Sequence, residues 1–302
     1  MIDVPLTKTK TLAPPYTMQR FSYWLFALLL LVTPPSHSET ADWQTEVSRE
    51  AANLERLHSL IVVHEGQEVL ALDLKSAGLD TPTNIKSLSK TVLAALVGIG
   101  IEKGVFEGTN QPVIETLGDR VPASATKGVD RITLGHLLSL QASGPVSMSQ
   151  TSAGTLAREW LGEPLNITIP AWGRDPQGIY FGGNNMALSP RDLAKIGELY
   201  RNEGRLGDRH LFPENWVRES WIERGRSAYT DDPYGYGWFQ QPLAGEMGYY
   251  GRGYGGQVLY VMPARKLTVV MTSDPTPPSP GSAFLRRQFQ LIEDHIIPAV
   301  KN

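Results

Sequence analysis

The feature that most constrains the fold is a pair of β-rich hairpin patterns far apart in the chain. Residues 59–64 (Ser-Leu-Ile-Val-Val-His) and 67–72 (Gln-Glu-Val-Leu-Ala-Leu) flank Glu65-Gly66, and residues 257–262 and 267–272 repeat the pattern around Pro263-Ala264-Arg265-Lys266. Each reads as two strands joined by a turn. Apolar strand faces need a common layer, so the simplest solution is one antiparallel sheet built from both chain ends, with the rest inserted between them. Residues 42–57 have helical spacing ahead of the first hairpin. Residues 283–300 place Phe284, Leu285, Phe289, Leu291, Ile292, Ile296 and Ile297 at the spacing of a closing amphipathic helix. The expected class is α+β: an antiparallel sheet formed by both chain ends, flanked by helices, with an inserted helical lobe.

The remaining composition narrows the function. Of 302 residues, 41% are apolar, enough for a core, and 29 glycines with 22 prolines predict many turns. Lys plus Arg number 28 against 31 Asp plus Glu, a net charge of −3 without basic clusters, which argues against a nucleic-acid partner. No cysteine is present, so disulfides, thiol nucleophiles and Cys-type metal sites are excluded. The six histidines lack the His-x-x-x-His and His-x-x-Glu-His spacings, and no metal is assigned.

Residues 21–32 form an apolar run preceded by Arg20 and followed by Pro34-Pro35-Ser36-His37-Ser38. The run is short for a bilayer span and has the layout of a secretory signal, with Met18 as a compact start. Cleavage after Ser38 leaves residues 39–302, a size that suits one large domain or two small lobes, periplasmic or secreted. The alternative is a membrane anchor over residues 21–35.

The most informative stretch for chemistry is Ser87-Leu88-Ser89-Lys90, at the head of the apolar run Val92, Leu93, Leu96 and Val97. Residues three apart share one face of a helix, so a serine and a lysine meet there. A lysine made costly to charge by burial can take the proton of a serine hydroxyl, and a helix N-terminus favours developing negative charge. Ser124-Ala125-Thr126-Lys127 has the same spacing but runs into Gly128 without an apolar helix, so it reads as loop. Gly251-Arg252-Gly253-Tyr254-Gly255-Gly256 spells G-x-G-x-x-G, yet a strand follows where a dinucleotide fingerprint needs a helix. It reads instead as a glycine-bearing strand edge open to a substrate, or as a β-bulge.

These stretches resemble the serine β-lactamase and penicillin-binding-protein superfamily, within it the class C-like esterases, β-lactamases and nylon-oligomer hydrolases. The likeness rests on residues 84–104 as the nucleophile helix and on Ile132-Thr133-Leu134-Gly135-His136-Leu137-Leu138 through Gly144. It rests also on residues 180–204 and on Tyr254-Gly255-Gly256-Gln257 at the third motif. The resemblance implies that Ser87 is acylated, that Lys90 is its base, that the backbone N–H groups of Ser87 and Gln257 form the oxyanion hole, and that Tyr254, Gly255 and Gly256 line the cleft. It implies a small-molecule ester or amide substrate, a β-lactam among the candidates; nothing in the chain implies a cofactor. Tyr254 in place of a motif lysine is the esterase-like variant.

One departure stands out. No Tyr-x-Asn or Ser-x-Asn triplet lies between Gly144 and Leu165, and about forty residues of the family layout are missing there, which shortens the lobe. Tyr200-Arg201-Asn202 has the letters of that motif, but its helical setting before Gly204 marks it as core and helix end. The expected function is a serine hydrolase working through an acyl-enzyme; the alternative is an impaired or non-catalytic binding member.

Overall fold

The computed structural model describes residues 37–121, 125, 127–141, 153–174, 176 and 180–300. The expected signal segment, Ser124 of the control pair and residues 142–152, where the expected gap begins, lie outside these residues. The first helix, α1 (His37–Ala52), starts and stops five residues earlier than its spacing suggests. It stops because Leu54 and Leu57 turn into the core, Leu57 as the first residue of a strand.

That strand, β1 (Leu57–His64), pairs antiparallel with β2 (Gln67–Asp73) across Glu65-Gly66, whose φ values of 52° and 82° make the turn. Next come β3 (Thr83–Asn84) and α2 (Ser89–Glu102). The inserted part holds α3 (Val113–Leu117), α4 (Leu134–Leu138), α5 (Ala153–Ala157) and α6 (Glu163–Leu165), followed by β4 (Ala187–Leu188) and α7 (Pro190–Arg201). The chain then forms β5 (Arg205–Leu206), β6 (Arg209–His210), α8 (Trp216–Trp221), β7 (Gly225–Arg226), β8 (Pro233–Tyr234) and β9 (Phe239–Gln240). It ends in β10 (Tyr249–Gly253), β11 (Gln257–Met262), β12 (Leu267–Ser273) and α9 (Gly281–Leu291).

Both chain ends build one eight-stranded sheet in the order β2-β1-β12-β11-β10-β9-β8-β7, and its pairings are antiparallel. Side chains alternate across it. Ile61, Val63, Leu259, Val261 and Val270 face α2 and α7, where they meet Val92, Leu96, Leu193 and Ile196. Leu60, Val62, Val258, Tyr260, Val269 and Met271 face the opposite way, against Val47 and Ala51 of α1 and Phe284, Phe289 and Ile292 at the C-terminal end. The result is a helix–sheet–helix sandwich, the class read from the two hairpins.

α7 begins as its sequence dictates. Ser189 caps it by accepting the Asp192 N–H at 3.1 Å, and Pro190 fills the first turn, where no N–H is needed. Tyr200 is fully buried against Phe212 and Trp238, and Gly204 follows in a left-handed conformation. Tyr200-Arg201-Asn202 is thus core and helix end. The closing helix is ordered over 281–291 and then widens over Ile292–Ile296 while keeping Ile296, Ile297 and Val300 buried.

Candidate active site

Ser87 sits in a single 3-10 turn (Lys86–Leu88) that leads into α2. This turn needs Lys86 at φ 52°, an uncommon conformation for a residue with a side chain. Asn84 supports it: its Oδ1 accepts the Lys86 N–H at 2.9 Å. Leu88 and Val92 are buried, which anchors the turn and leaves Ser87 and Lys90 on the half-buried face.

The two side chains meet as their spacing suggests, with Lys90 Nζ 3.1 Å from Ser87 Oγ. The amine also donates to the Gly183 carbonyl at 2.9 Å. Burial holds Lys90 below its ordinary value of 10.5, because the charged form loses solvation. The amine is therefore easier to obtain neutral than a surface lysine, with its lone pair available to a hydroxyl 3.1 Å away.

Strand β10 closes one side. A side chain on Gly253 would place its Cβ 2.2 Å from the Ile85 carbonyl oxygen, and one on Gly251 would place it 2.2 Å from Thr91 Oγ1. Only glycine at both positions lets this strand lie against the serine turn. Tyr250 and Arg252, which alternate with them, face the other way: Tyr250 bonds to Asp232, and Arg252 lies over the Phe239 ring and donates to Ser227 Oγ at 2.8 Å.

The other expected residues lie just beyond. Tyr254, Gly255 and Gly256 form the turn between β10 and β11, with Tyr254 42% exposed and the two glycines at φ 86° and 100°. Gly255 packs on the Asp274 carbonyl and Gly256 on the Phe284 ring, so this turn leans on the end of β12 and on α9. The part of the hairpin against the serine turn is 251–253. Gln257 is buried and pairs with Gly253; its side chain is held by the Ser273 carbonyl at 2.6 Å and the Ser273 N–H at 3.2 Å. Its fixed side chain makes Gln257 part of the frame behind the strand. The G-x-G-x-x-G letters lie in a strand–turn–strand, as their context suggests.

Sequence reasoning missed Gly183, and it read the Gly251–Gly256 stretch as a strand edge open to a substrate, whereas Gly251 and Gly253 lie against the serine turn and α2. The two strand glycines left a signal, since positions two apart share one face. Gly183 left none, because it acts through its backbone carbonyl. A separate cavity of about 670 Å³ lies between the 227–232 loop and α9, and its lining includes no residue of the Ser87 turn, α2 or the 181–185 loop.

A family model described as Beta-lactamase matches residues 149–291. No curated protein sequence matches significantly. Among solved structures, the fold is similar to that of a penicillin-binding protein homologue from Caulobacter crescentus, at 17% identity over 86% of this chain and 97% of that one, TM-score 0.61. A class C β-lactamase from Rhodobacter sphaeroides matches at 15% identity over 86% and 99%, TM-score 0.57. A protein described as a putative 6-aminohexanoate-dimer hydrolase, from Bacillus anthracis, matches at 15% over 84% and 83%, TM-score 0.62. At such identities the likeness establishes the fold.

Proposed function

The chain is β-lactamase-like in fold and in its family match, and on that premise we propose that it is a serine hydrolase acting on an ester or amide through an acyl-enzyme on Ser87. The observation that carries this reading is the 3.1 Å approach of a desolvated Lys90 amine to the Ser87 hydroxyl. The neutral amine takes the hydroxyl proton as Oγ attacks the carbonyl carbon, and returns it to the leaving group as the tetrahedral intermediate collapses. The oxyanion is received by the backbone N–H groups of Ser87 and Gln257, the latter at the end of the hairpin where it pairs with Gly253. Water then attacks the acyl-enzyme, and Ser87 is released.

Substrate choice follows from the same strand. The guanidinium of Arg252 is occupied by Ser227 and Phe239. No lysine stands on 251–253, and exposed Tyr254 borders the turn. This favours uncharged esters and amides over ligands whose carboxylate must be gripped at that edge. Export by residues 21–32 belongs to the same proposal; N-terminal sequencing of the secreted protein is expected to start near Glu39, and a mature chain that keeps residues 21–32 would overturn it. Among the described residues no helix is long and apolar enough to cross a membrane.

Turnover of a p-nitrophenyl ester by the purified chain tests the activity: hydrolysis that disappears in Ser87→Ala is expected. Equal background rates in both proteins would leave the non-catalytic binding reading, which the missing Tyr/Ser-x-Asn triplet motivates.

A further inference from the structure

The serine turn and the loop that holds Lys90 come from distant parts of the sequence, and two polar side chains tie them together. Asn84 divides its carboxamide between them: Oδ1 accepts the Lys86 N–H at 2.9 Å, and Nδ2 donates to Asn185 Oδ1 at 3.1 Å. Ser89 does the same with one hydroxyl, donating to the Lys86 carbonyl at 2.6 Å and accepting the Met186 N–H at 3.1 Å. The Ile85 N–H donates to the Met186 carbonyl at 3.0 Å, and β3 pairs with β4 alongside. Within the loop so held, the Gly183 carbonyl accepts from Lys90, and a Cβ on Gly183 would lie 3.1 Å from Lys90 Cε.

We propose that Asn84 and Ser89 are positioning residues for acylation, clamping the Ser87 turn to the 183–186 loop so that the Gly183 carbonyl aims the Lys90 amine at the Ser87 hydroxyl. The inference rests on the serine-hydrolase reading and adds how the base is oriented. A neutral amine has two N–H bonds and one lone pair, and rotates among three staggered positions about Cε–Nζ. Left to itself, it would direct the lone pair at Ser87 only about a third of the time. One N–H committed to a fixed carbonyl removes most of that freedom. A carbonyl also holds the amine without a full negative charge, which would favour the protonated form and weaken the base. This explains how a chain without a Tyr/Ser-x-Asn triplet between Gly144 and Leu165 can still orient its lysine.

The test is the rate at which a fluorophosphonate labels Ser87, followed by mass spectrometry from pH 5 to 10 on the full chain. In Asn84→Ala and Ser89→Ala, the maximal labelling rate is expected to fall about 10- to 100-fold with unchanged reagent binding, the cost of a misplaced catalytic group. The acid limb of the profile is expected to move to higher pH as water reaches the loosened amine. Asn185→Gly removes the acceptor of Asn84 at φ 63°, where glycine fits without strain, so it reads the clamp even if another variant folds poorly. Ser89→Thr retains the hydroxyl and is expected to restore the rate. Wild-type rates with an unmoved limb in Asn84→Ala, Ser89→Ala and Asn185→Gly overturn the clamp while leaving the hydrolase reading intact. A slowed rate with an unmoved limb, not restored by Ser89→Thr, also overturns it, as general loosening. A wild type without Ser87 labelling overturns the hydrolase reading itself.

Discussion

Gly253→Ala probes how closely strand β10 must approach the serine turn. The added Cβ falls 2.2 Å from the Ile85 carbonyl oxygen, whereas such contacts do not drop below about 3.0 Å, so strand and turn must part by about 0.8 Å. Rotamer adjustment cannot relieve this, because the obstacle is backbone; the next neighbours, Lys86 Cβ at 3.1 Å and Gln257 Cβ at 3.2 Å, are no easier to move. Gln257 is pinned to Ser273, so the strand is held from behind and the displacement falls on the Ile85–Ser87 turn. Overpacking of this kind costs about 1–3 kcal/mol. For a domain of this size that lowers the melting temperature by roughly 2–12 °C. A nucleophile displaced by nearly 1 Å loses on the order of 100-fold in reaction rate. Thermal unfolding followed by circular dichroism, together with fluorophosphonate labelling rates at 25 °C, measures both effects. Gly253→Ala protein that labels at the wild-type rate would refute the argument that this strand sets the geometry of Ser87.

Three further outcomes are expected. Because burial lowers the Lys90 value, unfolding takes up a proton between that lowered value and 10.5, so wild-type stability rises with pH across this window. Relative to Lys90→Met, the wild type should therefore gain melting temperature as pH rises from 7 toward 10.5, and the variant should label Ser87 far more slowly at every pH. Tyr200, whose hydroxyl is pushed up to about 12 by burial among Trp216, Trp238 and Ser220, is core: Tyr200→Phe should keep wild-type labelling, and Tyr200→Ala should cost about 3–5 kcal/mol in denaturant melts. Gly197→Ala would bring a Cβ to 2.6 Å from Thr268 Cγ2 and 2.7 Å from Leu259 Cδ1, lifting α7 off the sheet, so chemical denaturation should show a loss of about 1–3 kcal/mol.

The long strands could be read from the sequence because their signals are local. Val62-Val63 and Val269-Val270 sit in continuous β-branched runs, and Glu65-Gly66 and Pro263–Arg265 punctuate them. The two-residue strands β7, β8 and β9 escaped, since pairs such as Gly225-Arg226 and Phe239-Gln240 are too short to show a period. They exist because β10 supplies an edge for β9, on which β8 and then β7 add in turn. α1 was displaced by tertiary burial of Leu54 and Leu57, which helical spacing cannot register.

At the site, Ser87 and Lys90 were legible from side-chain chemistry at a three-residue interval. What holds them was not. The Gly183 carbonyl is a backbone group that any residue type would carry, and Asn84 and Ser89 act through contacts about a hundred residues away in sequence. Gly251 and Gly253 were visible as glycines, but their purpose depends on which face of β10 meets the Ile85 carbonyl, and that is a property of the assembled sheet.

The proposed chemistry stands on Ser87 as an acylated nucleophile with Lys90 as its base. Intact-protein and peptide mass spectrometry of the folded chain after exposure to a fluorophosphonate measures this directly. A single adduct is expected on the Ser87 peptide of the wild type, lost in Ser87→Ala and strongly slowed in Lys90→Met. Folded wild-type protein that remains unmodified at Ser87, or that labels equally fast without the lysine amine, would contradict it.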